Sequence, residues 1–207
     1  MYLSLFQRHD RIQIMEFFEV IEKRYSHKER FSSDPVPLKD LEMIAKAGLA
    51  APTGNNSQCV RLIILPDKEA IKPLYDASPS EILLSAPSAI ALLTGSPART
   101  EKYNFEIEDY SAAAAQMLLA ATALGYVSLW LDSPYFEEDK QKAALSALGA
   151  PNPSPSYKAE EVRERDSLSS GYSLRVVLPV GYPEGAAKRR SKLSFEQRVS
   201  YNLFKST

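Results

Sequence analysis

From Tyr110 to Leu131 the chain reads YSAAAAQMLLAATALGYVSLWL without a single charged residue. A run of that length either crosses a membrane or lies inside a protein core. Alanine is only weakly apolar, and Gly125 and Ser128 interrupt the run, so the expectation is a buried helix from about Asp109 followed by a buried strand from Tyr126 to Leu131. The small side chains of that helix let other backbones approach closely. Asp109 stands where a carboxylate favours a helix N-terminus.

Around this centre the periodicities alternate. Met15 to Arg24 places Phe17, Phe18 and Ile21 at helical spacing, and Leu38 to Ala51 does the same with Leu41, Ile44, Ala47 and Ala51 until Pro52-Thr53-Gly54-Asn55 breaks it. Val60 to Leu65, Ser88 to Thr94 and Leu174 to Val180 are apolar strands. Pro66-Asp67 introduces a short helix through Tyr75, and Phe136 to Leu148 is a surface helix stopped by Gly149 and Pro151. Ser194 and Gln197 form a capping-box pattern that predicts a last helix over Phe195 to Tyr201. Residues 95–108 read as an irregular loop, and the Pro-rich then charged stretch 151–171 as a mobile loop over a site.

The chain has 207 residues, enough for one sizeable core without disulfide or metal staples. Residues 15–207 read as a single domain and residues 1–14 as an extension before it, lacking the apolar centre of a secretory signal. With 25 Lys+Arg against 26 Asp+Glu, the net charge of −1 excludes a nucleic-acid binder working by general electrostatic attraction. The lone Cys59 excludes an internal disulfide or a multi-cysteine metal site and fits a reducing cytoplasm.

Several familiar chemistries are missing. There is no G-x-G or G-x-x-x-x-G-K phosphate loop, no H-E-x-x-H and no G-x-S-x-G, and the histidines His9 and His27 are far apart. Cys59, at the edge of an apolar strand, reads as inert packing. Three polar clusters remain, each open to two readings. Arg24-Tyr25-Ser26-His27-Lys28 is either a basic helix terminus or an anion cradle built of a planar fork, a hydroxyl and a point charge. Thr53-Gly54-Asn55 needs nothing beyond turn geometry, yet Asn56, Ser57 and Gln58 add hydrogen-bonding groups that suit the polar edge of a planar heterocycle. Lys188-Arg189-Arg190-Ser191-Lys192 is either a solvated tail or a second anion contact.

Taken in order, EVIEKRYSHK, AGLAAPTGNNSQ, DYSAAAAQMLLAATALGYVSLWLD, then LPVGYP with KRRSK and VSYNLF, the chain resembles the nitroreductase family of FMN enzymes from about Met15 to Phe204. The resemblance implies an α+β fold, a mostly antiparallel central sheet flanked by helices, in an intertwined homodimer with the alanine-rich helix at its centre and FMN sites drawing on both chains. It implies that Arg24, Ser26 and Lys28, with Tyr25 among them, approach the FMN phosphate and ribityl chain. Asn56, Ser57 and Gln58 then lie at the flavin, Trp130, Leu131 and Asp132 run along its ring, and Arg190 and Lys192 return to the phosphate, with Lys188 and Arg189 permitting a shifted register. Backbone N–H of Asp132 or Ser133 falls near flavin N5. The implied activity is ping-pong hydride transfer from NAD(P)H to a nitroaromatic or quinone, in the cytoplasm and without membrane, metal or nucleic acid. A flavin-binding redox sensor or FMN carrier is the alternative. Cys59, Val60 and Arg61 depart from the Pro-aromatic that often follows N-S-Q in the family.

Overall fold

The computed structural model describes residues 16–95, 105–135, 137–151, 171–186 and 188–203. The extension 1–14 and, of the two expected loops, residues 96–104 and 152–170 lie outside the described residues. Helix α1 (Phe17–Lys23) and helix α2 (Leu38–Leu49) lead into strand β1 (Val60–Leu65). Helices α3 (Lys68–Ala77) and α4 (Glu81–Ser85) precede strand β2 (Ser88–Gly95). The long helix α5 (Glu106–Ala123), strand β3 (Val127–Ser128), helix α6 (Glu138–Ala147) and strand β4 (Tyr172–Gly181) follow.

The four strands form one antiparallel sheet in the order β1-β2-β4-β3. β2 is buried along its whole length, which is why it reads as a continuous apolar run rather than an alternating one. Ile90 and Leu92 face a core formed with α2 and α5, through Leu41, Ile44, Ala113, Ala114 and Met117. Ala89, Ala91 and Leu93 face the opposite core with Leu74, Leu83 and Leu145 of α3, α4 and α6. The sheet is thus covered on both sides. Between Leu92 and Leu93 the register with β4 shifts, so that Arg175 is an extra residue and the strand bulges there.

The uncharged run divides as its composition predicts. α5 ends in a Schellman arrangement: Gly125 has φ 87°, its N–H reaches Thr122 C=O at 3.0 Å, and Tyr126 N–H reaches Ala121 C=O at 2.9 Å. Among the described residues no helix is long and apolar enough to cross a membrane. The same motif closes α6 at Gly149, with φ 65° and Ala150 N–H on Leu145 C=O.

Four expectations need correction. α5 begins at Glu106, because Glu106, Glu108 and Asp109 all complement the positive end of the helix. The strand expected over Tyr126 to Leu131 is only Val127–Ser128, with a separate bridge from Leu131 to Val177 in the same register, because the β4 residue opposite Leu129 is Pro179, which has no N–H to donate. α4, capped by Ser80 and bounded by prolines, was not anticipated. The helix expected over Phe195 to Tyr201 is a turn: half of the capping box forms, Ser194 N–H to Gln197 Oε1 at 2.9 Å, but Phe195, Val199 and Tyr201 find no core to bury against and stay exposed.

The α2–α5 contact depends on Gly48. A Cβ there would stand 2.6 Å from Met117 Cγ and Sδ and 3.4 Å from Ala113 O. Gly48→Val should therefore cost about 1–3 kcal/mol by overpacking, read as a lowered denaturation midpoint with an unchanged m-value. Full stability in that variant would show that the two helices are not in close contact.

Candidate functional site

Arg24 caps the end of α1, where the backbone turns extended and the chain crosses towards β3. Ser26 forms a parallel bridge with Ser128, and His27 N–H donates to Ser128 C=O at 3.0 Å. His27 is buried, its Nε2 on Arg30 C=O at 3.0 Å and its ring edge-on to Phe31. This anchoring leaves Ser26 and Lys28 exposed and Arg24 half-buried on the rim of a recess of about 750 Å³. The basic run 188–192 forms the facing wall.

The cations of this recess divide into two groups. Lys188 pairs with Glu29 at 3.0 Å, and Arg189 sends both terminal nitrogens to the last carbonyls of α1, Glu22 O and Lys23 O, each at 2.7 Å, while lying over the Tyr25 ring. Arg189 thus binds the arm to the helix end, where a cation also meets the negative end of the helix. Desolvation pushes the Tyr25 phenol above its ordinary range, with Arg189 pulling the other way. Arg24, Lys28, Arg190 and Lys192 line the recess without a side-chain hydrogen bond or ion pair to any described residue. Four cations around one concavity, with the Ser26 hydroxyl among them, form a ready acceptor for a multiply charged oxyanion.

From Ser128 the chain runs directly into Trp130, Leu131, Asp132 and Ser133. Leu131 exchanges both backbone hydrogen bonds with Val177, at 3.1 and 2.8 Å, which fixes the segment to β4. Trp130 packs on Tyr110 with ring centroids 6.0 Å apart and donates its indole N–H to Asp132 Oδ2 at 2.8 Å. The Asp132 carboxylate is therefore engaged within its own turn, and Ser133 is exposed.

Asn56, Ser57 and Gln58 are not brought to the recess. They sit at the other end of α5, in a loop where Asn55, Asn56 and Gln58 all have left-handed backbone, φ 52°, 54° and 48°. Their amide side chains point to solvent, while the Ser57 hydroxyl turns inward and donates to Asp109 Oδ2. Gly54 N–H donates to Asp109 Oδ1 at 2.7 Å. Tyr25 and Arg189 border Thr122 and Gly125 at the far end of the helix, about 20 Å from Asp109 at 1.5 Å per residue. The role of Asp109 as an acceptor for the loop escaped the sequence reading, because nothing in a linear string links positions 54 and 57 to 109. Arg175, which reaches Glu106 and Thr94 from the bulge and lies over Tyr110, escaped it for the same reason.

Cys59 is buried with its thiol 3.5 Å from Asp109 Oδ2, and burial raises its pKa above the usual thiol value, assisted by the carboxylate. A raised pKa leaves less thiolate at neutral pH, so Cys59 should react with an aromatic disulfide reagent far more slowly in the native protein than in urea. Equal rates in the two states would contradict its role as packing.

The fold and the recess can be set beside known proteins. The family model described as "Nitroreductase family" matches residues 21–84, which hold the cradle, α2, the 54–58 loop and β1. A protein of Archaeoglobus fulgidus, provisionally named NADH dehydrogenase/NAD(P)H nitroreductase, is 33% identical over 123 residues, 58% of this chain and 70% of that protein. In fold, the chain is similar to an FMN-dependent nitroreductase of Clostridium difficile R20291, with 24% identity, TM-score 0.67 and coverage of 90% of this chain and 99% of that one. It is similar also to a provisionally assigned nitroreductase of Desulfovibrio desulfuricans solved in complex with FMN, with 21% identity, TM-score 0.67 and coverage of 92% and 99%. Sequence relationship across most of a relative's length, joined to the same fold, places this chain in the nitroreductase family.

Proposed function

We propose that residues 15–207 form an FMN-binding unit that oxidises NAD(P)H and reduces an electron-poor acceptor such as a nitroaromatic or quinone. The observation that carries this reading is the set of four cations, Arg24, Lys28, Arg190 and Lys192, around one recess without partners among the described residues. A phosphate monoester carrying close to two negative charges satisfies them, and the Ser26 hydroxyl supplies a further donor. When bound, FMN would supply the two-electron hydride chemistry between NAD(P)H and the acceptor, a ping-pong exchange at flavin N5 in this reading. The chain's own residues bind and orient. Arg189 holds the arm that carries Arg190 and Lys192, and the Leu131–Val177 pairing holds the 130–133 backbone, whose N–H at Asp132 or Ser133 is the donor proposed to face N5.

The separation of the two polar groups along α5 supports a shared site. The cradle lies beside the last turn of α5, whereas the chain's own 54–58 loop is fastened to Asp109 in the first turn, about 20 Å away along the helix, and Trp130 reaches towards that turn by packing on Tyr110. Within one chain the place beside the cradle lacks the loop's amides. In a two-fold homodimer with antiparallel α5 helices, the partner's loop fills that place, so Asn56 and Gln58 of one chain serve the cradle of the other. The arm that follows the recess supports the same assembly: residues 188–203 are exposed, and they carry Leu193, Phe195, Val199, Tyr201 and Leu203 into solvent. An exposed arm with five large apolar side chains suits burial against a second chain.

Arg24→Ala should weaken FMN binding by about one to two decades, since a charge-assisted hydrogen bond contributes roughly 1.5–3 kcal/mol, and should leave riboflavin binding unchanged. Titration of apoprotein by flavin fluorescence quenching reads both, and an FMN affinity equal to the parent's would place the phosphate elsewhere. Asp132→Asn keeps both the backbone N–H and an acceptor for Trp130, so it should retain most NAD(P)H–menadione turnover. Loss of turnover with FMN still bound would make the carboxylate itself the working group. A protein that binds FMN yet shows no steady NAD(P)H oxidation with menadione or nitrofurazone would instead be a flavin sensor or carrier.

A further inference from the structure

Asp109 is buried in the first turn of α5, and its carboxylate has no Lys or Arg partner among the described residues. Both of its oxygens are used as acceptors. Oδ1 takes the Gly54 N–H at 2.7 Å, and Oδ2 takes the Ser57 hydroxyl and the Cys59 thiol, the last at 3.5 Å. All three donors belong to the loop that enters β1. That loop holds three non-glycine residues, Asn55, Asn56 and Gln58, in left-handed backbone. L side chains rarely adopt this conformation unless the surroundings impose it. Its consequence is geometric: with Gly54 and Ser57 fastened inward, the side chains of Asn55, Asn56 and Gln58 project outward together.

We propose that Asp109 is a positioning residue for the flavin ring, its carboxylate holding the Gly54–Gln58 loop in the conformation that presents the amides of Asn56 and Gln58. The role rests on the FMN reading above and adds to it a residue that touches neither cofactor nor substrate. It also reassigns Ser57, whose hydroxyl proton goes to Asp109 and is not offered to a ligand. An ionised carboxylate accepts at both oxygens, whereas the amide of Asn keeps one acceptor and points an NH2 group at the remaining donors. Asp109→Asn is therefore the informative change. It is nearly isosteric and inverts the hydrogen bonding at one of the two loop anchors.

The test uses the full chain in three forms: parent, Asp109→Asn and Ser57→Ala, the last removing one donor while leaving the Gly54 bond. Hydrogen exchange of the flavin-free proteins should show the amides of residues 54–58 exchanging about tenfold or more faster in Asp109→Asn, with β2 and β4 protected as in the parent. Titration should show FMN and riboflavin weakened by the same factor, about tenfold or more, because the loop meets the ring and not the phosphate. Arg24→Ala, by contrast, should affect FMN alone. Ser57→Ala should shift both readouts in the same direction by less, and it decides the matter by those readouts if Asp109→Asn does not fold. Unchanged loop exchange and unchanged flavin affinity would overturn the positioning role while parent FMN binding stands. A loss confined to FMN would overturn it as well, by locating the effect at the phosphate. A parent that binds neither flavin would overturn the cofactor reading, and the positioning role with it.

Discussion

Two carboxylates enter the protein interior within the first turn of α5, and much of the structure is arranged to satisfy them. A buried carboxylate is costly unless it is paired or hydrogen-bonded. Glu106 takes Arg175 and Thr94, which fixes the bulge in β4 and the end of β2 beside it. Asp109 takes Gly54, Ser57 and Cys59, which fixes the entry to β1. The start of one helix thus joins three strands and a loop. Beyond this turn α5 buries Ala113, Ala114, Met117 and Ala121 against α2 and the sheet, and small side chains make that approach possible.

Electrostatics separate scaffold from site in the same economical way. Arg189 and Lys188 are occupied within the chain, one by helix carbonyls and one by Glu29. Arg190 and Lys192 are close to them in sequence yet point into the recess, where Arg24 and Lys28 join them from the segment after α1. Arg189 holds the arm to the end of α1 and Lys188 holds it to Glu29, while the other four cations give the recess its charge. Exposed pairs of this kind contribute little stability each, so the value of the partnered ones lies in placing the others.

Elements were legible in the sequence wherever a local rule sufficed. β1 is read to the residue, α6 to within two, and the stops at Gly125 and Gly149 follow from the left-handed caps that glycine provides. Elements whose existence depends on a distant partner were misread. The stretch after Tyr126 is long and apolar enough for a strand, but its pairing with β4 covers Val127 and Ser128, lapses opposite Pro179 and resumes as a single bridge from Leu131 to Val177. The capping pattern at Ser194 formed its hydrogen bond without a helix, because a cap does not supply the buried face that a short helix needs.

The residue types needed for an anion site and a turn rich in amides are written locally, in Arg24 to Lys28, Asn56 to Gln58 and Arg190 to Lys192, and their order along the chain already pointed to the nitroreductase family. Hydrophobic periodicity likewise determined that a charge-free helix would be buried, since burial depends on composition over a few turns. Which cations find no partner among the described residues, that Ser57 faces inward and that the loop lies at the opposite end of α5 from the cradle were decided by tertiary structure alone. These depend on contacts between positions as distant as 54 and 109 or 23 and 189. A hydrogen bond is made by atoms brought within about 3 Å, and only the folded chain sets that distance.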